Sequence, residues 1–229
     1  MGKFFFCLLA GLGAALNPFF AIAEDVDLQL VLAIDVSSSV NYEEFGLQMR
    51  GYSAAFRDAE IHEAIMSGPN KQISVAMTQW AGQAEQKLVL GWAVLSSKSD
   101  ALEFADRIDN LPRSFPFGGT AIDPALKHAF SQFSSSSHRG LRHIIDLSGD
   151  GVVSVGTMPD TFRDEIVAQG VTINGLPILN EIPDLAEYFK KHVAGGSGSF
   201  VQIAKDYKDF SRAIKVKLAR EIKGQWFGV

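Results

Sequence analysis

Three short stretches of this chain hold oxygen donors at spacings suited to one hard cation. They are Asp35-Val36-Ser37-Ser38-Ser39, Phe117-Gly118-Gly119-Thr120 and Ser148-Gly149-Asp150-Gly151. Asp35, Ser37, Ser39, Thr120 and Asp150 offer two carboxylates and three hydroxyls, with no sulfur or imidazole. An all-oxygen set suits Mg²⁺ first, with Mn²⁺ or Ca²⁺ as alternatives. The spacing has a geometric reason: where a strand ends, alternate residues point the same way, so Asp35, Ser37 and Ser39 converge while Val36 turns to the core. Plainer roles exist for each part. Ser39 or Asn41 suits a helix N-cap. Thr120-Ala-Ile-Asp123 has the form of a capping box, and Asp150-Gly151 that of a turn.

These stretches need a scaffold that brings them to one place, and the hydrophobic pattern supplies it. Residues 28–34 form an apolar run suited to a strand buried on both faces. Phe45, Met49, Tyr52 and Phe56 mark one face of a helix over 41–59. Alternation predicts a strand over 71–80, with 86–94 as its hairpin partner at an edge; Trp80 and Trp92 are expected to pack across that hairpin. Helices are expected over 99–110, from Ile122 to Phe133, over 160–169, 184–193 and 206–222. Strands are expected over 143–147, 171–176 and 200–203. Such alternation argues for an α/β, Rossmann-like, doubly wound fold: a mostly parallel central sheet, one antiparallel edge strand and helices on both faces. Ligands in such sheets bind at the carboxyl ends of the strands. Asp35 and Asp150 follow two strands, and Thr120 precedes a helix that starts on the same rim, so all three stretches fall there.

Composition narrows the functional classes. The 229 residues are 47% hydrophobic and carry 21 basic against 26 acidic side chains, a net charge of -5. That balance gives no footprint for nucleic acid. One cysteine excludes a disulfide framework and a cysteine-rich zinc module. The N-terminus has Lys3, an apolar run over 4–16, and Ala21-Ile22-Ala23 before Glu24, the three-part pattern of a secretory signal peptide over 1–23. The run is too short for a bilayer, which needs about 20 apolar residues. Cleavage after Ala23 removes Lys3 and Cys7. The expected product is a soluble domain over 24–229 with no transmembrane anchor, exported, and periplasmic if the cell is Gram-negative.

Other motifs fail on inspection. His62-Glu63 begins a zinc-protease signature, but position 66 is Met. The five histidines lack metal-ligand spacing. No Gly-x-Ser-x-Gly elbow or phosphate-binding loop occurs. Gly195-Gly196-Ser197-Gly198 precedes a strand and reads as a turn. Lys190, Lys191 and the basic face of the last helix read as solvated surface.

At the three oxygen-bearing stretches the chain resembles the von Willebrand factor A-type domain. That family carries a metal-ion-dependent adhesion site built from Asp-x-Ser-x-Ser, a distant Thr and a distant Asp, matched here by Asp35, Ser37, Ser39, Thr120 and Asp150. More narrowly, Ile144 to Gly151, Ile173 to Ile178 and Gly195 to Phe200 resemble a bacterial family of uncharacterised secreted proteins made of this domain alone. The chain departs from the wider pattern in having Ser148-Gly149 where relatives place an apolar residue and Thr. Asp146 therefore competes with Asp150 for the metal role; Asp150 is preferred, with Asp146 held in the strand by a local hydrogen bond. The resemblance implies a binding module in which the ion accepts an Asp or Glu carboxylate from a protein partner, with no catalytic residue. Two other functions stay open: a hydrolase using metal-activated water, for which no base or nucleophile stands out, and a scaffold whose ion is structural.

Overall fold

A computed structural model describes residues 25–224, and Gly2. The expected signal peptide over 1–23, with its cleavage point, and the final residues 225–229 otherwise lie outside the described residues.

The centre is a five-stranded sheet. Its strands are β2 (Leu28–Asp35), β3 (Ile73–Trp80), β4 (Gln86–Leu95), β6 (His143–Gly149) and β7 (Val171–Pro177), in the order β4-β3-β2-β6-β7. All neighbours run parallel except β4, which pairs antiparallel with β3 at the edge. Two short strands, β1 (Asp25–Val26) and β5 (Arg139–Gly140), form a parallel pair of their own.

β2 and β3 are buried along their whole length because helices cover both faces. Along β2 the side chains alternate between two cores. Leu28, Leu30, Leu32 and Ile34 join one with α1 (Tyr42–Arg57), α2 (Ala59–Met66), α3 (Lys98–Asp109) and α7 (Phe210–Lys223). Val31 and Ala33 join the other with α4 (Ile122–Phe133), α5 (Asp160–Ala168) and α6 (Leu185–Tyr188), which runs on as a π turn over Phe189–Val193. The period-two pattern thus feeds two faces at once.

The expected helix over 41–59 ends earlier, because Asp58 adopts extended backbone, closes α1 and caps α2 through the Glu60 amide. The last expected strand, 200–203, is reduced to bridges at Val201 and Ala204 alongside β7. Pro177 has no amide hydrogen to continue that ladder. Trp80 and Trp92 do not face each other: Trp80 pairs with Gln86, and Trp92 packs on Phe133 with ring centroids 5.9 Å apart.

Candidate metal site

β2 and β6 are neighbours, with Ile34 opposite Ser148. Their carboxyl ends therefore deliver Asp35 and Asp150 to the same point on the rim. β6 runs two residues further than the apolar pattern indicated, so Ser148 and Gly149 belong to the strand and Asp150 is the first residue beyond it.

Ser37 Oγ lies 3.1 Å from Ser39 Oγ, and the Ser39 hydroxyl donates to Asp150 Oδ1 at 2.7 Å. Asp35 Oδ1 accepts the Ser37 amide at 2.8 Å. Asp35, Ser37, Thr120 and Asp150 are buried, while Ser39 is exposed, so the cluster has a closed floor and one open side. Thr120 stands across Gly151: a Cβ at that glycine would lie 3.3 Å from Thr120 Oγ1. Thr120 is not the helix cap. α4 begins after Ala121 with no side-chain cap, and the Thr120 amide instead donates to Ser154 Oγ at 2.8 Å. Asn41 takes the other capping role, in a full box with Glu44, which leaves Ser39 to the cluster.

Burial brings two acids close together here. Burial, and next the charge of Asp150, push the Asp35 carboxyl up to about 7. Asp35 Oδ2 is buried with no hydrogen-bond partner. An orphaned buried carboxylate oxygen beside a second carboxylate and three hydroxyls fits a hard divalent ion.

The loops are pinned by residues that spacing did not reveal. Arg113 donates to the Val36 and Ser37 carbonyls at 2.9 and 2.8 Å. Gln48 of α1 donates to the Asp35 carbonyl at 3.1 Å. The Ser38 amide donates to the Gly118 carbonyl, and the Gly118 amide donates back to Ser38 Oγ, both at 2.9 Å. Gly118 has φ 137°, a region that favours glycine. Tyr207 donates to Asp150 Oδ2 at 2.9 Å from the segment before α7. Ser38 and Gly118 lie within the oxygen-bearing stretches, whereas Arg113, Gln48 and a lone Tyr in Asp206-Tyr207-Lys208 carry no pattern.

Asp146 belongs elsewhere. It is fully buried in β6 and meets Lys217 Nζ at 2.7 Å; Lys217 also pairs with Glu221 Oε1 at 2.5 Å. The partner is thus a distant helix rather than a local group. Lys217 stands on the last helix, whose basic face was read as solvated surface, yet it is fully buried. The histidines lie in other contacts, His62 on the Phe56 carbonyl and His192 on Asp160.

Solved structures similar to the chain share this architecture. Proximal thread matrix protein 1 from the mussel byssus aligns over 86% of this chain at 18% identity with a TM-score of 0.62, and a form of it is described with a zinc-occupied MIDAS motif. This chain spans 48% of that protein's length. A von Willebrand factor type A protein from Catenulispora acidiphila aligns over 86% of this chain and 43% of its own at 18% identity, TM-score 0.56. BatB from Bacteroides thetaiotaomicron aligns over 86% of this chain and all of its own at 15% identity, TM-score 0.56. No curated protein sequence matches the chain. The strand order, the rim cluster and these neighbours agree on a von Willebrand factor A-type fold, and a family model described as "Protein of unknown function (DUF1194)" matches residues 25–226, so the chain belongs to that family.

Proposed function

We propose that this protein is an exported, metal-dependent protein-binding module. Asp35, Ser37, Ser39, Thr120 and Asp150 hold one divalent cation, Mg²⁺ ahead of Mn²⁺ or Ca²⁺. The bound ion supplies a positive centre to which an Asp or Glu side chain of a partner protein adds its carboxylate. The domain over 24–229 is released by cleavage after Ala23. Among the described residues no helix is long and apolar enough to cross a membrane.

The observation that carries this reading is Asp35 Oδ2, buried and without a partner while a second acid stands beside it. Burying two carboxylates together is costly unless a cation offsets them. The open side at Ser39 gives a visiting group its approach.

The test is calorimetric titration of Mg²⁺, Mn²⁺ and Ca²⁺ into wild type and Asp35→Ala, followed by capture from a native envelope fraction with and without EDTA. Saturable one-site binding that Asp35→Ala abolishes, with a partner released by chelator, is expected. Equal cation binding by the variant would overturn the assignment.

A further inference from the structure

Exposed apolar side chains concentrate on the chain segments that carry the cluster. Of the nine large apolar side chains exposed among the described residues, Tyr42, Phe117, Val152, Val155 and Met158 all lie within eight residues of a proposed ligand. Phe117 is 77% exposed and Tyr42 71%, the two highest values in that set. Single exposed apolar residues need no explanation, but a cluster marks a contact surface.

Three of these side chains are tied to the cluster through their own contacts or those of adjacent residues. Phe117 precedes Gly118, which exchanges two hydrogen bonds with Ser38. Val155 packs over Gly119, where a Cβ would meet its methyls at 2.8 Å, and its amide donates to the Thr120 carbonyl. The Tyr42 ring lies 5.3 Å from the guanidinium of Arg113, which itself holds the Ser37 carbonyl. The rings are therefore borne on backbone that the cluster fixes, and little ordering remains to be done on binding.

Acidic side chains flank this rim. Glu43 and Glu44 follow Tyr42, and Glu85 lies under Gly118 and accepts the Gly82 amide at 2.8 Å. These three carboxylates outnumber the guanidinium on the rim, that of Arg113 beside Tyr42, so a strongly acidic partner meets net repulsion that a single acid among apolar neighbours avoids.

We propose that the partner's carboxylate is an isolated Asp or Glu flanked by large apolar side chains on an exposed protein loop, and that Phe117 and Tyr42 select it. This rests on the metal-dependent binding reading above. Phe117 and Tyr42 lie on different segments flanking the cluster, one leading to Thr120 and one following Ser39. Residues flanking the acid therefore have two separately held apolar side chains to meet.

The test uses acetylated, amidated tripeptides Phe-Glu-Leu, Ser-Glu-Ser and Phe-Gln-Leu, titrated into Mg²⁺-loaded protein and followed by NMR. Phe-Glu-Leu should bind about tenfold tighter than Ser-Glu-Ser, a gain that roughly 60 Å² of newly buried apolar surface supplies. Phe117→Ser and Tyr42→Ser, both exposed sites, should erase that preference while Mg²⁺ affinity stays unchanged. Equal binding of Phe-Glu-Leu and Ser-Glu-Ser, both lost with EDTA, overturns the rim alone. Binding of Phe-Gln-Leu as tight as Phe-Glu-Leu overturns the carboxylate reading beneath it, and absence of binding by all three overturns both.

Discussion

Tyr207 and Asp150, 57 residues apart, are joined by a 2.9 Å hydrogen bond from the phenol to Asp150 Oδ2, while Ser39 holds Oδ1 of the same carboxylate. Burial and the neighbouring Asp150 charge push the Tyr207 phenol up, so it remains a neutral donor. Hydrogen bonds to charged groups contribute about 1.5–3 kcal/mol. Tyr207→Phe should lose stability in that range in urea unfolding without added cation. The loss should shrink in an Asp150→Asn background, and a double-mutant cycle measures the coupling. Additive losses would show that the two side chains do not act together.

The Asp35 carboxyl, raised to about 7, must give up its proton before it can serve a cation as an anion. Cation affinity should therefore be flat above pH 7 and fall by up to tenfold per unit below it. Calorimetry at pH 6 in buffers of different ionisation heat should detect about one proton released per ion bound. No buffer dependence would mean that Asp35 is already ionised in the free protein.

Gly149 sits against Asp35: a Cβ there would lie 2.9 Å from Oδ2 and 3.5 Å from Trp80 Cζ2. Gly149→Ala should displace the carboxylate, weakening cation binding at least tenfold, at a stability cost of about 1–3 kcal/mol. Paired cation titration and thermal unfolding check it. Unchanged affinity would place the functional oxygen elsewhere.

Under the sheet centre, Asp146 of β6, Asn174 of β7 and Lys217 and Glu221 of α7 form one buried cluster, with Tyr52 of α1 close enough to feel both acids. Burial and Asp146 push Glu221 up to about 8. The folded state therefore binds a proton that the unfolded chain releases near the ordinary glutamate value of 4.5. The contribution of Glu221 is fully present below that value and is lost as pH rises towards 8. Glu221→Gln should make the urea midpoint less pH-dependent than wild type between pH 5 and 8. Lys217→Met should cost about 3–5 kcal/mol, since it leaves buried acids without their cation.

How far this was legible varies by element. The α1 face of Phe45, Met49, Tyr52 and Phe56 is buried as its spacing indicated, and β4 is the antiparallel edge. The architecture was readable because strands buried on both faces leave long apolar runs. α2 was hidden because an Asp that ends one helix and caps the next leaves the hydrophobic period unbroken. The plainer alternative for Thr120, a helix cap, does not hold, because the form of a capping box in sequence says nothing of loops arriving from elsewhere, here Ser154. Tyr207 and Lys217 were hidden because each has a partner far away in the chain, Asp150 just beyond β6 and Asp146 within it, and a lone Tyr or Lys does not announce such a partner.

The two flanks of the sheet are unlike. Beyond β7, the irregular run through Val201 and Ala204 takes up the strand's free hydrogen-bonding groups, and Gly195 pairs with Ile173. Beyond β4, whose side chains are largely half-buried or exposed, no further strand of the central sheet is present among the described residues. Strand addition therefore has a single open edge, so two copies pairing through residues 86–95 would close as a symmetric dimer and could not extend into a filament.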